Sequence, residues 1–186
     1  MKGMERITTV RLAEVLSQSG VVSTEKITDA LYHQDSTGVP FVEVLVESGQ
    51  IAEWDLARLV VQHFQLPFLM ASGLDINREA VDAIPEKFLF EHRLLPLDVA
   101  GNVLSIAMPL LVPYKVLAHA QKLSGKTVFP FVGLGSENLK FLFQLFPEHP
   151  RDEVTRRPLE DVDVEESAWQ SIFDVGDQEV LKGLGS

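Results

Sequence analysis

The chain has 186 residues, 46% of them hydrophobic, with a formal net charge of -11 and no cysteine. That length allows one ordinary domain or two small ones. The negative charge argues against sequence-independent nucleic-acid binding and against an anionic membrane surface, since both need Lys and Arg. The absence of thiols excludes disulfides and thiolate metal sites.

The N-terminal stretch MKGMERITTV lacks the apolar core of a signal peptide. The apolar run at 103–112 is short and broken by Pro109. No segment reaches the roughly 20 apolar residues of a transmembrane helix. A cytoplasmic protein without direct membrane insertion is the expectation.

Residues 11–19 place Leu12, Val15 and Leu16 on one helical face, and Gly20 sits where a left-handed cap would end that helix. Ser23 is a good N-cap for a second helix from about Thr24 to Asp35, with Ile27, Ala30, Leu31 and Gln34 on one face. Asp35-Ser36-Thr37-Gly38 reads as a loop. The pattern then repeats. Glu14-Val15-Leu16 with Ser19-Gly20 recurs 29 positions later as Glu43-Val44-Leu45 with Ser48-Gly49, and Val22, Ile27 and Leu31 answer Ile51, Leu56 and Val60. Such self-similarity marks a supersecondary unit that buries its apolar face on its copy. The second copy starts at Pro40, a favoured first helical position, and its second helix spans about Glu53–Phe64.

Leu66–Leu69 leaves the repeat as an extended segment. Asn77 or Asp75 can cap a helix ending at Ile84, before Pro85, and a short helix follows to about His92. Arg93–Val99 and Val103–Met108 flank Ala100-Gly101-Asn102 and predict a β-hairpin. A helix over Pro113–Leu123, a strand over Thr127–Val132 and a helix over Ser136–Phe146 complete the block. The expected fold is α+β. A helical bundle of two repeated hairpins (1–72) precedes a small α/β sandwich with a three-stranded sheet (73–147), and an acidic tail (148–186) follows.

Residues 147–186 hold eleven acidic side chains against four basic ones, so most of the net charge lies there. Acidic, Pro-containing composition predicts a mostly flexible tail. Within it, Asp163-x-x-Glu166 resembles a capping box, and Trp169, Ile172 and Phe173 follow at one-face helical spacing. These three are candidate partner-binding residues, by docking either on their own domain or in a partner's groove.

Catalytic equipment is missing from the pattern. Gly125-Lys126-Thr127 resembles the end of a phosphate-binding loop, but a helix precedes it and a strand follows, the reverse of what that mechanism requires. The five histidines are scattered without His-Glu-x-x-His spacing, so no metal site is expected. Glu43 and Glu47, one helical turn apart, read as a solvated face. Within the first hairpin, Arg11 at the start of one helix and Gln34 at the end of the next can converge. Arg and Gln suit the edges of nucleobases, and Leu12 and Leu31 would wall the site.

Arg11-Leu12, Leu16, Gly20, Ile27, Leu31 and Gln34 resemble the first 24-residue motif of the MshEN domain, the N-terminal domain of type II secretion and type IV pilus assembly ATPases. The family pattern repeats after a five-residue spacer, here Asp35–Val39, so the second copy is 40–63. The resemblance extends through Leu66-Pro67-Phe68, Ile84-Pro85, Leu95-Pro96-Leu97 and Gly125–Val132. It implies docking of a motor onto a membrane platform and, in one subset of members, binding of cyclic di-GMP. Carried over by position, Arg11, Leu12, Leu16, Gly20, Leu31 and Gln34 would contact that ligand, with Leu45, Gly49 and Leu56 surviving in the second motif.

Departures accompany the match. Ala13 and Val42 stand where the motif has Gly, Pro40 replaces the second Arg, Phe41 replaces Leu, and His63 replaces the closing Gln. No ATPase domain accompanies the motif, so motor activity is not implied. The expectation is a non-enzymatic adaptor or regulatory module acting through a protein partner of a secretion or pilus machinery. The alternative is a cyclic di-GMP receptor with a degenerate second motif. No other cofactor is expected.

Overall fold

A computed structural model describes residues 8–151. The tail expectation, including Trp169, Ile172 and Phe173, therefore lies outside the described residues.

The repeat is built as its caps dictate. Helix α1 (Thr9–Ser19) begins where the Thr8 hydroxyl accepts the Arg11 N–H, and it ends at Gly20 with φ +66°. Helix α2 (Thr24–Thr37) begins at Ser23, whose hydroxyl accepts the Lys26 N–H. It runs past the expected Asp35 to Thr37, closing where the Gly38 N–H reaches the Gln34 carbonyl. Helix α3 (Phe41–Glu47) starts one residue later than expected, because Pro40 has ψ 138° and stands outside the helix as its N-cap. Its exit repeats that of α1: Gly49 has φ +68°, and the Gln50 N–H reaches back to the Leu45 carbonyl at 3.0 Å. Helix α4 (Glu53–Phe64) follows.

The 29-residue register holds in burial. Leu12 and Phe41, Leu16 and Leu45, Val22 and Ile51, and Ile27 and Leu56 are buried pair by pair. The two copies sit differently, however. α2 packs on α1 and α3, whereas α4 leans on the sheet described next.

The second block comprises α5 (Arg78–Asp82), α6 (Glu86–Glu91), β1 (Leu95–Ala100), β2 (Val103–Pro109), α7 (Tyr114–Ser124), β3 (Thr127–Gly133) and α8 (Gly135–Leu145). Asn77 rather than Asp75 caps α5, its side-chain oxygen accepting the Glu79 N–H. The first strand begins at Leu95, not Arg93, which is a turn residue with φ +48°. β1 and β2 form the predicted hairpin, with an irregular register between Pro96 and Asp98. α7 returns the chain so that β3 lies parallel to β2, giving the order β1-β2-β3.

The outer edge of β3 is closed. The Val128 N–H donates to the Gln121 side chain at 3.1 Å, Pro130 has no N–H, and the Val132 N–H donates to the Pro67 carbonyl at 2.8 Å. The extended segment around Phe68 supplies that last pairing by bridging Val132 in parallel.

One apolar cluster runs from Leu12 through Leu142, so repeat and sheet share a core. Polar bonds pin the junction. The Arg93 guanidinium, 19% exposed, lies 3.2 Å from Glu43 and 3.6 Å from Glu47. The Glu53 carboxylate accepts both the N–H and the hydroxyl of Ser136 at the start of α8. The Glu137 carboxylate accepts the Ala71 and Ser72 N–H groups at 3.2 and 3.0 Å. The buried Asn138 amide donates to the Arg93 and Ala107 carbonyls, both at 3.0 Å.

Candidate functional site

The nine ligand candidates divide by position. Leu12, Leu16, Leu45 and Leu56 are wholly buried and belong to the shared core. Leu31 and Gln34 are half-buried, while Arg11, Gly20 and Gly49 are at the surface. Arg11 forms a 2.7 Å ion pair with Glu14, one helical turn on. Such an exposed pair is worth only about 0–1 kcal/mol, so Arg11 can exchange Glu14 for another acceptor. Gln34 is engaged elsewhere, since its side-chain oxygen accepts the Phe41 N–H at 3.0 Å. In this conformation Gln34 caps α3, which has no side-chain cap of its own at Pro40. No hydrogen bond joins Arg11 to Gln34 among the described residues.

Gly20 and Gly49 need no ligand to explain their recurrence. Both hold left-handed backbone after a helix, and a Cβ added at either would meet nothing within 4 Å. Their shared role is to turn the chain between the helices of each copy.

A cleft of about 340 Å³ lies along α4, lined by Trp54, Asp55, Ala57, Arg58, Val61 and Phe68. The Trp54 and Phe68 rings meet at 5.4 Å between centroids, and Trp54 stays 53% exposed. Arg58 at the rim bonds Asp55 at 2.8 Å, with both side chains more than half exposed. A smaller cavity of about 30 Å³ at the junction, beside Glu43 and His92, has room for about one water.

The remaining motifs resolve structurally. Gly125 ends α7 in left-handed conformation and Lys126 pairs with Glu79 at 3.6 Å, so this turn is a helix C-terminus and not a phosphate cradle. Glu43 is buried and faces Arg93, which corrects its reading as part of a solvated face; Glu47 remains exposed. Among the described residues, no group of three or more His, Cys, Asp or Glu could hold a metal ion. Within the same residues, no helix is long and apolar enough to cross a membrane.

The known family that matches is the MshEN domain, over residues 64–150. The match covers the sheet block; the doubled repeat lies ahead of it. The chain is 24% identical to the type IV pilus assembly ATPase PilB of Myxococcus xanthus over 98 residues, 53% of this chain and 17% of that protein. It is 25% identical to PilB of Thermus thermophilus over 140 residues, 74% of this chain and 16% of that protein. The chain thus spans a small part of the length of both relatives.

Two solved structures share the fold across the repeat as well. MshE, solved with cdg (cyclic di-GMP), superposes with a TM-score of 0.57 at 22% identity, covering 72% of this chain and 96% of that one. The N-terminal domain of XpsE gives a TM-score of 0.57 at 18% identity, covering 72% and 92%.

The sequence reading missed the cleft on α4 and the junction contacts of Arg93, Glu53 and Glu137. The cleft had a signal in the repeat itself. Glu25, Thr28, Asp29 and Tyr32 of α2 correspond, 29 positions on, to Trp54, Ala57, Arg58 and Val61. The junction contacts join residues up to 83 positions apart and carry no local pattern.

Proposed function

We propose that the chain is a non-enzymatic regulatory module of a secretion or type IV pilus machinery, acting in the cytoplasm by docking on a protein of that machinery. The observation that carries this reading is the motor N-terminal-domain fold, which spans both the repeat and the MshEN domain. In such a module the sheet block is a rigid base and the repeat presents helix faces. Polar bonds at Arg93, Glu53 and Glu137 join the two. The test is co-purification of the full chain with the assembly ATPase and with the cytoplasmic part of the membrane platform. Retention of either supports the reading, and failure to retain both overturns it.

A second reading is favoured by one observation, the likeness to MshE with cdg. Here cyclic di-GMP would bind the first motif, with Arg11 leaving Glu14 for a guanine or phosphate oxygen. Only Arg11, Gly20, Gly49, Leu31 and Gln34 are at or near the surface, so binding requires the helices to part from Leu12, Leu16, Leu45 and Leu56. Pro40 offers no second guanidinium. Calorimetry of the full chain against cyclic di-GMP tests it: measurable heat that Arg11→Ala abolishes supports binding, and no heat at high micromolar ligand excludes it.

A further inference from the structure

We propose that the cleft on α4 is the docking site for a segment of the same chain, residues 163–173. The inference is independent of both functional readings above. It rests on the cleft, on the contrast between the two copies of the repeat, and on the length and composition of the chain beyond Arg151.

The two copies provide an internal comparison. Copy one has Glu25, Thr28, Asp29 and Tyr32 on this face, and all four are exposed. The same positions in copy two are Trp54, Ala57, Arg58 and Val61, which line a cleft with Phe68. Ala57 and Val61 pack where α4 leans on the sheet, but Trp54 and Arg58 stay exposed, so packing on the sheet does not account for them. A Trp left 53% exposed beside Phe68 is a face built to be covered. The cleft volume, about 340 Å³, lies within the roughly 300–1,000 Å³ of sites that hold a ligand.

The occupant is argued from the chain that remains. The described part ends at Arg151, whose guanidinium lies over Phe143 of α8. α8 begins at the start of α4, because Ser136 bonds Glu53. The route back to the cleft is therefore about the length of α8, 11 residues at roughly 1.5 Å each, or ~16 Å. The 18 residues from Arg151 to Trp169 can span up to about 60 Å. Reach is ample, and a tether of this kind gives an effective concentration of order millimolar.

Chemistry selects the segment. Trp169, Ile172 and Phe173 share one face at helical spacing, and Asp163, Glu165, Glu166 and Asp174 flank them. An apolar face would enter between Trp54 and Val61, and the acidic flank would meet Arg58. Among the described residues that cation pairs with Asp55, both side chains being more than half exposed, so exchange costs little. Docking in cis would make the segment a competitor for any partner that reads α4.

The test uses the full chain and its two tryptophans. Trp169→Phe keeps an aromatic anchor and leaves Trp54 as the sole indole. Acrylamide quenching of Trp54 is then compared with and without Ile172→Glu and Phe173→Glu, both outside the described fold. Release of the segment should raise quenching about twofold as a covered ring returns to half-exposure. Arg58→Glu, on an exposed side chain, should raise it in the same direction. Equal quenching in the Trp169→Phe chain with and without the two Glu substitutions overturns the proposal. A contrast that vanishes on dilution also overturns it, because a second copy would then be the occupant.

Discussion

Replacing Glu53 by Ala should destabilise the fold through a helix 83 positions away in sequence. α8 has Leu134 at its N-cap and no side-chain cap of its own. Its first turn instead borrows the Glu53 carboxylate, which accepts the Ser136 N–H at 3.2 Å and the Ser136 hydroxyl. Losing an N-cap costs about 0.5–2 kcal/mol, and hydrogen bonds to a charged group contribute about 1.5–3 kcal/mol. Glu53 is only half-buried, so solvent offsets part of this and about 1–2 kcal/mol remains. With a urea m-value of about 2 kcal/mol/M, the midpoint should fall by about 0.5–1 M. Glu53 also favours the N-terminus of its own helix, so the single variant overstates the bond. A double-mutant cycle with Ser136→Ala removes that part. The coupling should be about 1 kcal/mol, read from urea midpoints of the four proteins. Additivity within about 0.3 kcal/mol would refute the reasoning, because the two residues would then act independently.

Gly20→Ala and Gly49→Ala should cost nearly the same, about 1–2 kcal/mol each, because both lose only left-handed backbone in open space. Thermal melts should drop by a few degrees in both, and a marked inequality would mean the two turns are not equivalent. Gln121→Leu removes the acceptor of the Val128 N–H at the sheet edge and should cost about 1 kcal/mol. Hydrogen exchange should speed up at Val128 while Thr127, whose N–H donates to the Asn102 carbonyl, stays protected. Leu45→Ala should cost about 2–5 kcal/mol by urea unfolding, since Leu45 is wholly buried where the two copies match.

The elements were legible wherever the signal is local. Gly20 and Gly49 stop helices, Ser23 starts one, and Gly101 turns a hairpin, each because a few adjacent residues settle the backbone. Pro40 shows where local reading slips by one residue. Its φ of -56° suits a helix, yet ψ 138° places it outside, and Gln34 caps the helix that follows. Arg93 shows a larger slip. It continues an apolar run and reads as strand, but its side chain pairs with Glu43 of another unit and its backbone turns through φ +48°. The functional surface was the least legible part. Leu12, Leu16, Leu45 and Leu56 fit a ligand motif and a core equally well, since both want leucine at helical spacing. Only tertiary packing distinguishes the two, and here it buries them.

The closed edge of β3 limits how this protein can be recognised. With Val128 spoken for by Gln121, no amide at Pro130, and Val132 taken by Pro67, an incoming strand finds no ladder to extend on that side. Strand addition is a permissive mode, because main-chain pairing accepts many sequences. With β3 blocked in this way, and with α5 packed on β1 and the Asn77 N–H on the Leu97 carbonyl at the other edge, the helix faces are the more readable surface. Recognition there depends on individual side chains, so a substitution at one position such as Trp54 can change which partner is accepted without disturbing the fold.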